Sequence, residues 1–448
     1  MLHRFPNAPV AEFGRLRWDM NRLFSEIMIG LRRLGEEFPD VESIGVDGWG
    51  VDVALLDGRG ALLERPISYR DGVSGHYVES VHAVIDRCEL FTLNGLQFLP
   101  FTTIYQLAAL RQEGLLARAH YVVMLPDLIA YWLTDCLGTE LTNASTTGLL
   151  KADTGTWSTT IFSAIDVSPF LFPPLRVPGS VLGPLTDAVT RKTGLSNDVQ
   201  VMTVASHDTA SAVVAIPSRT PEFVYVSSGT WSLVGTEVDR PLLTHAALSH
   251  NFTNERGTDG RTRLLRNVGG LWLLQECLRT WRAEGLDVDL PRLLAAAAAL
   301  PAGPVFDVDD PGLVAPGHMP HRIADAVGSS GGTPPRKQPA VVRCILDSLA
   351  EAYAATTDIT MSLANRRAEV VHIVGGGSRN GLLCQLTANV AGLPVVAGPA
   401  EGSALGNILV QARAQGAVPA DLDELRLQLA DSEGLVLYSP SHLHRGAT

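Results

Sequence analysis

The alternation of apolar and polar positions divides the chain into short buried strands, polar turns and amphipathic stretches. Val201-Met202-Thr203-Val204-Ala205 is an apolar run, Ser206-His207-Asp208 interrupts it, and small residues from Thr209 to Val213 follow. That order predicts a buried strand, a polar turn and a tightly packed helix start. Two other segments share one rhythm. Ile44 to Asp57 reads as a strand, a Gly-rich polar turn and a second strand ending in the tight turn Asp57-Gly58-Arg59-Gly60. Phe223 to Gly235 reads the same way, so both are expected to be hairpins whose small residues expose backbone N–H groups. Helical periodicity covers roughly 14–36, 103–117, 270–284, 340–364 and 379–391. Strands mixed with helices indicate an α/β protein. Two hairpin-bearing halves suggest two similar domains, a first over 1–212 and a second over 213–448, the last segment of which is expected to pack back on the first. Val327 to Pro335 is rich in Gly, Ser and Pro and is expected to be a surface loop within the second domain. The Ala-rich run Leu294–Leu300 is helix propensity without chemistry.

Composition narrows the function classes. A chain of 448 residues is too long for one core, which fits two domains. A formal net charge of −12 argues against a sequence-independent hold on nucleic acid, which needs clustered Lys and Arg. The five cysteines, Cys88, Cys136, Cys277, Cys344 and Cys384, are scattered and never form a C-x-x-C pair. They read as buried thiols of a reducing cytosol rather than zinc ligands or disulfides. The longest apolar stretch, near Tyr121 to Leu133, is too short to span a bilayer, and Met1 to Val10 lacks the apolar core of a secretion signal. A cytoplasmic protein without membrane partners is therefore expected.

Three stretches are candidates for chemistry. Asp208 stands where a capping residue would stabilise the helix by about 1 kcal/mol, and it is the first candidate for chemistry. A Ser-His-Asp proton relay is excluded, because Ser206, His207 and Asp208 are consecutive and point in different directions. Ser227-Ser228-Gly229-Thr230 is a bland hairpin tip or a phosphate cradle. Val371 to Val374 runs into Gly375-Gly376-Gly377 and then a helix, a place where backbone can approach a charged or flat ligand. It is not a G-x-G-x-x-G motif, since Asn380 holds the last position, and no P-loop motif occurs. The acidic Asp307-Val308-Asp309-Asp310-Pro311 lacks an EF-hand's spacing and reads as a solvated loop. His442 and His444 read as solvated terminal residues, and Trp132, Trp231 and Trp272 as core.

Each signal is modest, but their order is specific. Gly45 to Asp52, Tyr69-Arg70-Asp71, Gly95 to Phe101, Ala205 to Ala212, Ser227 to Ser232, Leu265 to Gln275, Gly375 to Asn380 and Glu401 to Asn407 together resemble the FGGY family of carbohydrate kinases over nearly the whole chain. Within it, the spellings Gly48-Trp49-Gly50-Val51-Asp52 and Ser206-His207-Asp208-Thr209 are similar to those of members that act on L-rhamnulose. The resemblance implies two actin-like (ribonuclease-H-like) domains facing a cleft, with sugar largely on the first and ATP largely on the second. It implies Asp208 as general base, with Gly50, His207 and Thr209 lining the sugar site and Asn267 beside it. It implies Thr230, Gln275 and Gly376 on the nucleotide side, and ATP with Mg²⁺. The implied reaction is transfer of the γ-phosphate to the carbon-1 hydroxyl of L-rhamnulose. That reaction needs positioning, charge neutralisation and a base rather than covalent help from the protein.

The family opens with an Asp-x-Gly-x-x-Ser/Thr hairpin that makes a first phosphate loop. This chain starts at Met1-Leu2-His3-Arg4-Phe5, which resembles the strand after that hairpin, and its end resembles a family member without the closing helix. A start placed too far downstream is the favoured expectation, with an exposed sheet edge in the first domain. Rival readings are a kinase for fuculose or xylulose, a catalytically impaired sugar- or nucleotide-binding remnant of the fold, and an actin-like structural ATPase. A monomer or weak homo-oligomer is expected.

Overall fold

The computed structural model describes residues 1–441, so His442 and His444 lie outside the described residues. The chain folds into two compact units. Unit 1 holds Met1–Val214, Val238–Arg263 and Ser403–Leu422, and unit 2 holds Ala215–Glu237, Leu264–Gly402 and Asp423–Thr448. The sequence places one boundary near residue 213 and has the last segment of the chain pack back on the first domain. The chain crosses after Val214 and then returns to unit 1 twice more.

In unit 1, the strand Gln200–Met202 pairs with Ser43–Gly45 in parallel and with Val181–Pro184 antiparallel, leaving Ser43–Gly45 at an edge. A second, two-stranded sheet pairs Val53–Leu56 with Tyr121–Met124 antiparallel. Val53, Ala54, Leu55 and Leu56 are all buried, so side chains on both faces of this sheet enter cores. One core gathers Val53, Leu55, Val122, Met124, Leu107 and Phe162 on one face. The other face packs Ala54, Leu56 and Val123 with Trp18 and Leu128. The helix Met20–Glu37 begins at Asp19, whose carboxylate accepts from the Arg22 N–H at 3.1 Å, and it buries Met20, Leu23 and Leu31 on one stripe.

The expected hairpin over Ile44 to Asp57 does not form. Its two strands join different sheets. The reason lies in the turn. The Gly48 N–H donates to the Ser206 carbonyl at 2.9 Å and the Gly48 carbonyl accepts from Asp208 N–H at 2.7 Å, so this backbone is already paired. Asp52 is fully buried and accepts from the indoles of Trp18 at 2.6 Å and Trp49 at 3.0 Å, which turns the chain away from a simple return.

In unit 2 the strands run in the order Thr262–Gly269, Trp231–Val238, Phe223–Ser228, Val370–Val374, Val395–Ala397 and Val436–Tyr438. Phe223–Ser228 and Trp231–Val238 form the hairpin that their sequence predicts, with Val226 opposite Val234. Val370–Val374 and Val395–Ala397 are parallel to the strand before them, and each is reached through helices. The helix Gln338–Ala364 packs Val342, Ile345, Leu346, Leu349 and Tyr353 against the sheet residues Val224, Val226, Val371 and Ile373 in one core.

The periodic helices appear as Met20–Glu37, Thr103–Gln112, Trp272–Ala283, Gln338–Ala364 and Gly381–Ala391. The first starts late because Val10–Glu12 and Arg15–Arg17 pair as a small hairpin. Val327, Gly328 and Ser329 finish the helix Met319–Ser329, and the loop begins only after them. The acidic segment near Asp309 is docked rather than solvated. Asp309 accepts from the Gly269 N–H and from Arg266, each at 2.8 Å, and Val308 is buried. All five cysteines are free thiols, but Cys88 is exposed and Cys136 half-buried, so burial holds for Cys277, Cys344 and Cys384 alone. Trp132, Trp231 and Trp272 are each half-buried. No helix among the described residues is long and apolar enough to cross a membrane.

The helix Gly402–Ala414 lies against the helix Asp208–Val214 so closely that a Cβ on Gly406 would overlap the Ser211 carbonyl oxygen. Gly406→Ala is expected to destabilise the protein by about 1–3 kcal/mol, the usual result of overpacking against backbone. It would appear as a lower denaturant midpoint with an unchanged slope. A midpoint equal to the parent's would show that the two helices are not held at this spacing.

Candidate functional site

The turn between the strand Gln200–Met202 and the helix Asp208–Val214 carries the first group of sequence-singled residues. The helix is started by backbone, since the His207 carbonyl accepts from Ala210 N–H at 2.7 Å and Ser211 N–H at 3.1 Å. Asp208 therefore does not cap it in the usual way. Its Oδ1 accepts only from its neighbour Thr209, from N–H at 2.7 Å and from Oγ1 at 3.4 Å. The side chain is 45% exposed while that of His207 is 9% exposed, so the carboxylate faces solvent on a turn that is otherwise sunk. Asp208 Oδ2 has no protein donor among the described residues.

Buried charges hold that turn. Glu140, 1% exposed, accepts from Thr142 N–H at 2.8 Å, Thr142 Oγ1 at 2.5 Å, Asn143 N–H at 3.0 Å, Ser206 N–H at 3.0 Å and Ser206 Oγ at 2.9 Å. Burial raises the Glu140 carboxyl above the usual carboxylate range, and these donors offset part of the rise. Asp127, next to it, is pushed well above that range by burial and by the Glu140 charge. On the opposite side, His207 Nδ1 lies 3.2 Å from Glu255 Oε2 and 3.1 Å from Arg263 Nη2. Glu255 and Arg263 form a buried ion pair at 2.9 Å. Burial would raise Glu255, and the Arg263 charge is the largest of the effects that bring its carboxyl below the ordinary range instead.

Gly50 is buried in the same unit, and a Cβ there would sit 2.7 Å from Thr146 Oγ1. The next residue, Val51, has φ of 65°, a left-handed conformation that costs a β-branched residue on the order of 1–3 kcal/mol. It is held there by three contacts. Its N–H donates to Thr146 Oγ1 at 3.1 Å, and its carbonyl accepts from Thr103 Oγ1 at 2.6 Å and Gln106 Nε2 at 3.2 Å. Asp47, three residues before Gly50, accepts from Asn407 Nδ2 at 2.9 Å. Burial raises the Asp47 carboxyl to about 6, the Asn407 hydrogen bond works against that, and the Asp208 charge adds to it. Unit 1 therefore brings Gly50, His207, Asp208 and Thr209 around one strand-to-helix turn, with Asp47 close enough to feel Asp208.

In unit 2 the tip of the hairpin is the centre. Leu271 N–H donates to the Gly229 carbonyl at 3.0 Å and Trp272 N–H to the Thr230 carbonyl at 3.1 Å, which fixes the start of the helix bearing Gln275. On its other flank, a Cβ on Gly375 would lie 3.0 Å from the Ser228 carbonyl, and one on Gly377 would overlap Ser228 Oγ. Between those two glycines, Gly376 is exposed and a Cβ there would meet nothing within 4 Å. Thr230 and Gln275 are also exposed. Thr230, Gln275 and Gly376 are thus collected around one hairpin tip with open faces, and Asn267 lies half-buried on the strand Thr262–Gly269.

Sequence reading passed over Glu140, Glu255, Arg263 and Asp47 as site residues. The available signal was local. Glu140 precedes a run of small hydroxyl and amide residues, Thr142 to Thr147, and Arg263 sits beside the apolar Leu264-Leu265 within a strand. Charges in such places must be paired when buried.

Residues 6–215 match the model described as the FGGY family of carbohydrate kinases, N-terminal domain, and residues 224–415 match that family's C-terminal domain. The chain is 37% identical over 445 residues to a rhamnulokinase of Bacteroides thetaiotaomicron, covering 99% of this chain and 90% of that protein. It is 39% identical over 443 residues to a rhamnulokinase of Klebsiella pneumoniae (strain 342), covering 98% and 88%. Among solved structures, the ligand-bound xylulose kinase from Lactobacillus acidophilus superposes with a TM-score of 0.79 at 18% identity, over 98% of this chain and 88% of that one. The glycerol kinase of Plasmodium falciparum with ADP gives 0.75 at 15% identity, over 97% and 88%. At such identities the structures speak for the fold alone, and that fold is the two-domain actin-like architecture.

The Asp47–Asp208 coupling has a measurable sign. Asp208→Asn removes a like charge, so the Asp47 carboxyl is expected to titrate below its parent value of about 6, read by carboxyl ¹³C chemical shifts. Because the folded value is raised, the Asp47 contribution to stability is full below the unfolded value near 3.8 and fades as pH rises through about 6. An Asp47 midpoint that stays or rises in Asp208→Asn would show that the two carboxylates do not face each other.

Proposed function

Because the chain belongs to the FGGY family of carbohydrate kinases, we propose that it transfers the γ-phosphate of ATP to the carbon-1 hydroxyl of L-rhamnulose, as a step of L-rhamnose breakdown. The observation that carries the reading is the exposed Asp208 carboxylate. Its Oδ1 is fixed by Thr209, its Oδ2 is uncommitted, and it is presented by a turn that buried groups hold rigid. A ketose hydroxyl within hydrogen-bond reach of Oδ2 would give its proton to Asp208 as its oxygen attacks the γ-phosphorus and ADP leaves. Gly50, His207 and Thr209 would line the sugar. Asn267 is assigned to the sugar by the same motif match.

On the nucleotide side, Thr230, Gln275 and Gly376 would bind ATP. The exposed glycine backbone suits close approach of a phosphate or a flat base, which a side chain would block. Among the described residues, no group of three or more His, Cys, Asp or Glu is arranged to hold a metal. Mg²⁺ would reach the site on the nucleotide's phosphates, where it neutralises charge. The supply of ATP makes the cytoplasm the compartment for this reaction. The names of the relatives favour L-rhamnulose over fuculose and xylulose.

A coupled ADP-release assay over a panel of ketoses tests the substrate. Turnover is expected with L-rhamnulose at the highest kcat/KM. Preference for xylulose, fuculose or glycerol would overturn that choice, and sugar binding without turnover would identify a binding protein. Asp208→Asn is expected to lower kcat by about 10²–10⁴-fold, the range for loss of a positioned base, with sugar affinity largely retained. Near-normal turnover in that variant would remove Asp208 from the chemistry.

A further inference from the structure

We propose that Arg263 is a positioning residue that fixes the tautomer of His207, so that the imidazole presents Nε2–H toward the Asp208 carboxylate. This rests on the reading of Asp208 as the base. Three atoms meet on one side of the ring. Arg263 Nη2 is 3.1 Å from His207 Nδ1, Glu255 Oε2 is 3.2 Å from the same nitrogen, and the two charged groups are 2.9 Å apart. Only one of these contacts has the angles of a hydrogen bond to the ring. Arg263 donates toward Nδ1, whereas Glu255 Oε2 receives no well-directed donor. A guanidinium has no lone pair to accept with, so an Nδ1 that faces Nη2–H must itself be the acceptor. The ring proton is then on Nε2. Nε2 lies 3.6 Å from Asp208 Oδ1, the oxygen that also takes the Thr209 N–H.

The consequence for the reaction is a division of labour between the two carboxylate oxygens. Oδ1 takes the Thr209 N–H at 2.7 Å and has the imidazole Nε2 3.6 Å away, so both groups lie on the side of that oxygen. Oδ2 is left to accept the proton of the sugar hydroxyl. Arg263 is fully buried and Glu255 6% exposed, so the guanidinium cannot leave its place for solvent. The charged and titratable groups around the ring are Arg263 and Glu255 at Nδ1, Asp208 at Nε2 and Asp47 beyond it, with Glu140 reached through Thr142, whose Oγ1 accepts from the His207 N–H at 3.3 Å. With Arg263 removed, Glu255 becomes the charge that faces Nδ1. A lone carboxylate facing Nδ1 favours a proton on that nitrogen, and a ring with protons on both nitrogens is a cation beside Asp208.

The wild-type protein gives the direct test. Two-bond ¹H–¹⁵N correlation of the His207 ring at neutral pH is expected to show an unprotonated Nδ1 and a protonated Nε2. A protonated Nδ1 would overturn the proposal, whatever the variants do. Arg263→Met is expected to lower kcat at least about tenfold with KM for the ketose within about threefold, and to gain a rise of activity with pH that the parent lacks. Arg263→Met with Glu255→Gln is expected to regain most of the loss and the parental pH profile, because a glutamine amide can donate to Nδ1 in place of the guanidinium. A parental pH profile in Arg263→Met would also overturn the proposal, as would equal defects in the single and double variants. If neither variant folds, the wild-type spectrum still decides. Asp208→Asn turnover reports the base separately, so loss of that reading and loss of this one are told apart.

Discussion

The Glu140 carboxylate and its five donors set the position of everything around Asp208. A buried carboxylate without donors costs several kcal/mol, so the groups that satisfy it are confined to one arrangement. Two of those donors belong to Ser206, two residues before Asp208. The Gly48 backbone locks the same turn from another direction, through Ser206 and Asp208. Asp208 is thereby held by the main chain and by its neighbours' side chains. Its own carboxylate carries little of the structural load and stays free for chemistry. The strained Val51, pinned by Thr103, Thr146 and Gln106, follows the same rule: the surroundings, not the residue, fix the unusual geometry.

Unit 2 reaches a comparable result without buried charge. Its hairpin tip is located by close backbone approach, made possible by Gly270, Gly375 and Gly377. Side chains at those three positions would collide with Thr230, Ser228 or their neighbours. The middle glycine, Gly376, has no such internal reason, since space is open around it. Three adjacent glycines thus have two distinct causes, packing for the outer pair and accessibility for the central one.

Much of the fold was legible because its signals are local. The hairpin Phe223–Val238 and the helices Gln338–Ala364 and Gly381–Ala391 follow from periodicity and turn residues. The Ile44 to Asp57 segment has the same local pattern and a different outcome. Its pairing is decided by Ser206, Asp208, Trp18 and Tyr121–Met124, all distant in sequence. The turns that carry Gly50, Asp208 and Thr230 were legible through motif order, since their spelling is restricted. Their supports were not. Glu140, Glu255 and Arg263 matter through where they are buried and what they face, and a single sequence shows neither. The acidic segment failed for a similar reason, because its docking depends on Arg266 and on the backbone of Gly269.

The contact between Gly406 and Ser211 bears on how the protein is made. The segment Ser403–Leu422 belongs to unit 1 although nearly the whole of unit 2 precedes it in the chain. It supplies Asn407 to Asp47 and Gly406 to the helix that starts at Asp208. A ribosome delivers the chain at about 5–20 residues per second, N-terminal parts first. The first unit therefore waits through most of translation with the back of the helix Asp208–Val214 uncovered. It is completed only by residues that emerge later, so the nascent chain exposes that face of the helix Asp208–Val214 to chaperones and proteases in the meantime.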